Sequence, residues 1–263
     1  RCIQRKDTEQ SSTATSTSSS SSSAAQSAVN VYEEKTPLDK KVSRWKNEKA
    51  SQLFDKLFTL MSCKHEYAVR FTNERDALFL AFKYLENELF DLQNDIKRQK
   101  EQQEMDMVGV MDFNFNIDGK LKVEMGLKQM ALSKLCMVLM CVCEYEHNKL
   151  KLTRADSKLM TSISHCVYYI MLSFEQYCDV FSVHCIHLCA ICSEFKEIRD
   201  FMCANATYCK LFYDNIHEYL LYAPPNHHKL QILQYLFEFL ENLFGNKCFV
   251  QLSVKLAKEA ANH

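Results

Sequence analysis

The residues best equipped for chemistry lie between Cys178 and Cys192, where Cys178, His184, Cys185, His187, Cys189 and Cys192 crowd into one short stretch. Thiolates and imidazoles are the usual ligands of zinc, so Cys185, His187, Cys189 and Cys192 form a candidate metal set, with knuckle-like spacing in Cys189-x-x-Cys192. The same spacing serves as a redox pair where a strand leads into it within a βαβ unit, a setting this sequence lacks. The residues in between point to another role. Val183, Ile186, Leu188, Ala190 and Ile191 continue an apolar helix where zinc ribbons and fingers place Gly-containing turns. On a helix Cys185, Cys189 and Cys192 stand at i, i+4 and i+7, the spacing of a buried stripe, and a free Cys packs as a small hydrophobe. The cluster therefore reads first as a core helix, with zinc or redox chemistry as the alternative.

No other local motif carries a reaction. Gly109, Gly119, Gly126 and Gly245 are scattered, and none stands beside a Ser or Cys in a nucleophile turn or builds a phosphate loop. His165, within Ser164-His165-Cys166, and His217 lie in helical segments and read as helix-face or core histidines. The pairs Cys141-x-Cys143 and Cys203 with Cys209 read as packing thiols. Tyr168, Tyr169, Tyr208 and Tyr213 belong to aromatic-rich stretches, but Glu175, Asp179, Asp214 and Glu218 make those stretches acidic, the wrong field for a nucleic-acid platform. Tyr covers contact area at little entropic cost, so such stretches suit helix packing or a protein-binding face. The formal net charge of -1 provides no global attraction for nucleic acid or an anionic membrane.

The elements that position these residues are helices. Only four Gly and three Pro leave little of the turn chemistry that sheets require, so an all-α fold is expected. Its centre is Leu135–Cys143, a run apolar on every side that must be enclosed on every side. Uninterrupted apolar runs reach about half of the roughly 20 residues a membrane span needs, and Lys128 and Lys134 flank the central one; no span is expected. Thirteen Cys placed inside apolar helical runs of a long chain imply a reducing compartment, cytoplasmic or nuclear.

Residues 1–35, with a Ser run from Ser18 to Ser23, lack anything to bury and are expected to be a disordered Ser/Thr-rich linker. Residues 36–106 are expected to form a helical hairpin. One helix starts at Thr36-Pro37 and runs to about Ser62; the other starts at Thr72 or Asn73. Leu78, Phe82, Leu85, Leu89, Leu92 and Ile96 on the second step by fours and threes, a short heptad seam. These six are the candidate partner-binding residues, suited to pairing within the hairpin or to a dimerising coiled coil. Residues 107–125 form a connector. In it Phe113, Phe115 and Ile117, then Leu121, Val123 and Met125, alternate with polar residues around Asp118-Gly119, the pattern of a β-hairpin; the alternative is a loop with helix resuming near Val123.

Residues 126–263 read as successive helices near 127–146, 155–177, 180–195, 197–203, 208–221, 227–244 and 247–260. Short connections between such helices make sequential neighbours antiparallel. In architecture this stretch resembles an irregular HEAT or armadillo-like array, although no self-similar motif recurs at those families' 40- to 47-residue period. The likeness implies a non-enzymatic scaffold or adaptor that binds other proteins through helix faces, without a cofactor. The alternatives are the zinc or redox protein of residues 178–192 and an enzyme whose site is dispersed along the sequence.

Overall fold

Helix follows helix because the chain offers almost nothing else: long stretches of Leu, Lys, Glu and Met, with hardly any Gly or Pro to interrupt them. In a computed structural model the described residues are 37–74, 76–107, 115–145, 148, 157–222 and 228–260. They contain the helices α1 (Pro37–Cys63), α2 (His65–Asn73), α3 (Ala77–Met107), α4 (Phe115–Glu144) and α5 (Ser157–Ser173). After a 3-10 turn at Phe174–Gln176 come α6 (Asp179–Glu194), α7 (Lys196–Cys203), α8 (Ala206–Tyr222), α9 (Lys229–Phe244) and α10 (Lys247–Ala260). The Ser/Thr-rich stretch lies outside the described residues.

Pro37 opens α1, as its fixed φ favours. The later helices fall where apolar periodicity puts them, and side-chain caps explain two of the starts. Asn205 Oδ1 accepts the backbone N–H groups of Thr207 and Tyr208 at 3.0 and 3.4 Å ahead of α8. Asn246 Oδ1 does the same for Cys248 and Phe249 at 2.9 and 3.2 Å ahead of α10.

Three expectations are corrected. Among the described residues there is no strand, and Phe115–Met125 is the first third of α4 rather than a β-hairpin; Phe113 and Asn114 lie outside the described residues. Alternation over so few residues cannot be told from one helix face by period alone, and Lys120, Leu121, Lys122 and Glu124 are good helix formers. The helix expected from Thr72 is preceded by the separate α2, which ends at Asn73. Thr72 closes α2 instead of capping α3, its hydroxyl lying within donating distance of two acceptors, Asn148 Oδ1 at 2.7 Å and the Val69 carbonyl at 2.9 Å. Asp76, at φ 63 in the left-handed region, turns the chain into α3. Finally, α1 and α3 meet through Phe54 and Tyr84, ring centroids 6.0 Å apart, but each has its main partner elsewhere.

Those main partners define two rows. α1 packs on α4, α4 on α6 and α6 on α9; beside them α3 packs on α5, α5 on α8 and α8 on α10. Contacts between α3 and α4, α5 and α6, and α9 and α10 join the rows, and the short α2 and α7 bridge them. One hydrophobic core runs through both, filled by fully buried Phe82, Phe174, Phe181, Phe212, Phe239 and Phe249. Its centre is Leu135–Cys143 on α4, held between α1 and α6. By length and composition Val123–Glu144 could cross a membrane, a longer apolar window than uninterrupted runs reveal; here 61% of it is buried by its neighbours.

Polar residues tie helices to one another where they end. Buried Asn148 donates to the Val142 carbonyl at 2.9 Å and the Ala68 carbonyl at 3.4 Å, fixing the end of α4 to α2. Asn242 donates to the Ala190 carbonyl and Ser193 Oγ at 3.2 and 3.0 Å, fixing α9 to the end of α6.

Candidate functional site

The Cys/His cluster lies on α6, between α4 and α9. Cys185, Cys189 and Cys192 are fully buried on the stripe their spacing predicts. Cys185 meets the thiol of Cys136 and Cys192 that of Cys143, both across on α4. Burial and the neighbouring Cys136 thiol push Cys185 well above the ordinary thiol range; for Cys192 the hydrogen bond with Cys143 comes first and burial second. His187 points elsewhere. Its ring stacks on Tyr235 of α9 with centroids 3.9 Å apart, and its Nε2 lies 3.6 Å from Glu144. His184 Nδ1 is 2.6 Å from Ser133 Oγ on α4. Burial lowers the pKa of both imidazoles, prevailing at His187 over the nearby Glu144, Glu238 and Glu194.

The structure therefore brings the three thiols together and separates them from His187. Among the described residues no three His, Cys, Asp or Glu side chains are grouped to hold a metal ion. A direct consequence concerns reactivity, since buried protonated thiols are poor nucleophiles. In a maleimide time course followed by peptide mapping, Cys63, Cys178 and Cys248 should be modified first, being exposed, and half-buried Cys141 later. Modification of Cys185, Cys189 or Cys192 at the same rate would contradict this packing.

The heptad seam of α3 is brought together too, but on the inside. Leu78, Phe82, Leu85, Leu89, Leu92 and Ile96 are all buried, facing α5 and the neighbouring α4. Cys166 Sγ of α5 comes within 3.4 Å of the Phe82 carbonyl. These six residues are core, and the surface they offered is covered by the chain's own α5 and α4. Periodicity identifies a seam and not what covers it.

A chemically richer site lies at the rim of the α3–α5 contact, where an open pocket of about 260 Å³ is lined by Phe79, Lys83, Glu86, Lys158, Thr161 and His165, among others. Its floor is the buried carboxylate of Glu86. That group accepts hydrogen bonds from Ser162 Oγ at 2.5 Å and Lys83 Nζ at 2.9 Å, and His165 Nδ1 lies 2.8 Å away. Burial alone would raise the Glu86 pKa, but the three partners outweigh it and hold the carboxyl below its ordinary range. A carboxylate that fixes an imidazole through Nδ1 is the orienting half of many proton-transfer sites. Among the described residues the two hydroxyls beside His165 are engaged elsewhere, Ser162 donating to Glu86 and Thr161 to the Ser157 carbonyl at 2.7 Å. Next to the pocket an aromatic group continues along α5, with Phe90 and Tyr169 centroids 5.8 Å apart and Tyr168 stacked on Tyr208 of α8 at 4.7 Å.

Among the described residues an exposed apolar line stands on α9. Leu230, Phe237 and Phe244 stand seven residues apart and are 77%, 56% and 51% exposed. Half-buried Leu233 and Leu240 complete a three-four heptad pattern between them. This line lies on the flank of α9, roughly 110° around the helix from the buried Ile232, Leu236, Phe239 and Leu243. The spacing is visible in the sequence, but so is that of α3, and nothing local distinguishes the covered seam from the open one. Comparison of the chain with protein-family models, curated proteins and solved structures finds no match.

Proposed function

We propose that this protein is a non-enzymatic scaffold or adaptor that binds other proteins through helix faces, within a larger intracellular assembly. On this reading the two helix rows are an irregular HEAT- or armadillo-like superhelix, in which each unit packs only on its neighbours and binding surfaces are laid out along the array. The observation that carries the proposal is the open heptad line of α9. Scattered exposed Leu residues are ordinary, but Leu230, Phe237 and Phe244 form one continuous apolar line, bordered by Gln234, Glu238 and Glu241 on one edge and continuous through Leu233 and Leu240 with the core on the other, which suits a surface that a partner covers. Two aromatic rings within it are the kind of anchor that dominates interface energetics.

The test is co-purification from native cells with the full chain and with Phe237→Lys/Phe244→Lys. Specific partners should be recovered with the native chain and lost, by roughly tenfold or more, with the double variant, whose thermal midpoint should stay within a few degrees because both side chains are exposed. Recovery of no stable partner, or recovery indifferent to the substitution, would remove the proposal as based on α9.

A further inference from the structure

Both ends of the helix rows are apolar, and their flanking charges have opposite sign. In α1 the exposed Leu53 and Leu60 stand seven apart with half-buried Leu57 between them. At the helical 100° per residue, Lys46, Lys49 and Lys56 fall within about 60° of that line, and Glu48 and Asp55 lie on the far side. At the other end of the same row the α9 line is bordered along one edge by Glu238 and Glu241, with Lys229 on the opposite edge. The first row thus begins on a basic apolar face and ends on an acidic one.

The second row has the reverse polarity. On α3 the exposed Leu80 and Tyr84 continue into Asn87 and Asp91, directly opposite the buried seam. On α10 exposed Val250 and Val254 are aligned with Lys247 and Lys258. The two lines at each end are neighbours: Phe54 and Tyr84 join α1 to α3, and Phe244 meets Phe249 edge-on at 5.4 Å to join α9 to α10. Terminal units of stacked helical arrays stay separate when their outer faces are polar. Among the described residues the outer lines keep exposed apolar side chains at both ends, Leu53, Leu60 and Leu80 at one and Phe237, Phe244 and Val254 at the other.

We infer that a second copy of this chain is the occupant: copies stack head to tail, the α9–α10 face of one covering the α1–α3 face of the next. This inference rests on the reading of the α9 face as a binding surface and names its partner. Each row then continues in its own sense, α9 packing on the next copy's α1 as α6 packs on α9, and α10 on the next copy's α3. Phe237 and Phe244 meet Leu53 and Leu60 between Glu241 and Lys56, while Val250 and Val254 meet Leu80 and Tyr84 between Lys258 and Asp91. Each match pairs apolar with apolar and acid with base, and turning one copy around would oppose like charges, which is the usual way electrostatics fixes register. Because the two faces differ, the contact is heterologous and propagates beyond a dimer.

The experiment is sedimentation velocity of the full chain over a concentration series, alone and with two end variants. The native chain should grow in mass past the dimer as concentration rises, with the association weakening several-fold at high salt. Leu53→Glu/Leu60→Glu places acid against the acidic α9 edge and Phe237→Lys/Phe244→Lys places base against basic α1, so each should be a monomer. An equimolar mixture of the two retains one intact junction and should form a dimer that grows no further. A native chain that stays monomeric, a mixture that stays monomeric, or a single variant that still dimerises would overturn the inference. Should either variant fail to fold by circular dichroism, zero-length carbodiimide cross-linking of isotopically mixed native chains decides: an intermolecular Glu241–Lys56 or Asp91–Lys258 link supports the stacking, and absence of both overturns it. Monomeric native chain together with partner recovery that still depends on Phe237 and Phe244 would defeat the stacking and leave the scaffold reading intact.

Discussion

Phe82→Ala is expected to destabilise the fold by about 3–5 kcal/mol, a large share of the roughly 5–15 kcal/mol available to a folded domain. Phe82 is fully buried on α3, where Leu85 and Leu89 continue the same face. Truncation removes most of a ring from water-free surroundings and leaves a cavity that the flanking helices can close only in part, since α3 is held by α5 along its length. Leu80→Ala on the same helix serves as the control. Leu80 is 60% exposed, so its loss should change stability by no more than about 0.5 kcal/mol. Urea denaturation of the three chains measures both. Should Phe82→Ala be as stable as the native chain, the α3 seam would not be the core it is described as here.

Glu86→Ala should cost about 2–4 kcal/mol, despite being a change at the rim of a pocket. Ser162 is buried and donates to Glu86, so removing the carboxylate strands a hydroxyl away from water and releases Lys83 and His165 from their common partner. The acid limb provides a second measurement. Because the folded carboxyl is held below its ordinary pKa, its contribution is complete above the unfolded value of about 4.3 and is lost as pH falls through the lower folded value. The stability gap between the native chain and Glu86→Gln should therefore be widest near neutral pH and close in the acid range. A gap independent of pH would mean that the charge of Glu86 contributes nothing and that only its shape matters.

Much of the fold was legible because helix and burial follow from local composition. Scarce Gly and Pro announced an all-helical chain, and the spacing of Cys185, Cys189 and Cys192 announced the buried stripe of a core helix. Asn246 announced a cap, and five of the last seven helices fall within two residues of where their periodicity placed them; of the others, α5 ends four residues early at a 3-10 turn and one is the end of the longer α4. What failed did so for identifiable reasons. The alternation of Phe115, Ile117, Leu121 and Val123 is too short to fix a period, and helix propensity together with continuation into the central segment prevailed. The α2 helix was missed because His65–Asn73 is only nine residues, too short for its Tyr67, Ala68, Val69 and Phe71 to show a helical period, and its only fully buried side chain is Ala68.

The site shows the limit more sharply. Glu86 and His165 are separated by most of three helices in sequence, and neither looks unusual where it stands; only the packing of α3 on α5 makes them partners. The seams of α3 and α9 are written in the same three-four spacing, yet one is the interior and the other the most exposed apolar line described. By itself the sequence determined which residues are helical and which side of each helix is apolar, because both depend on neighbours three and four positions away. Only the tertiary structure decided which apolar sides cover one another, since that depends on the order in which the helices stack, and among the described residues it leaves Leu53, Leu60, Phe237 and Phe244 about half exposed at the two ends.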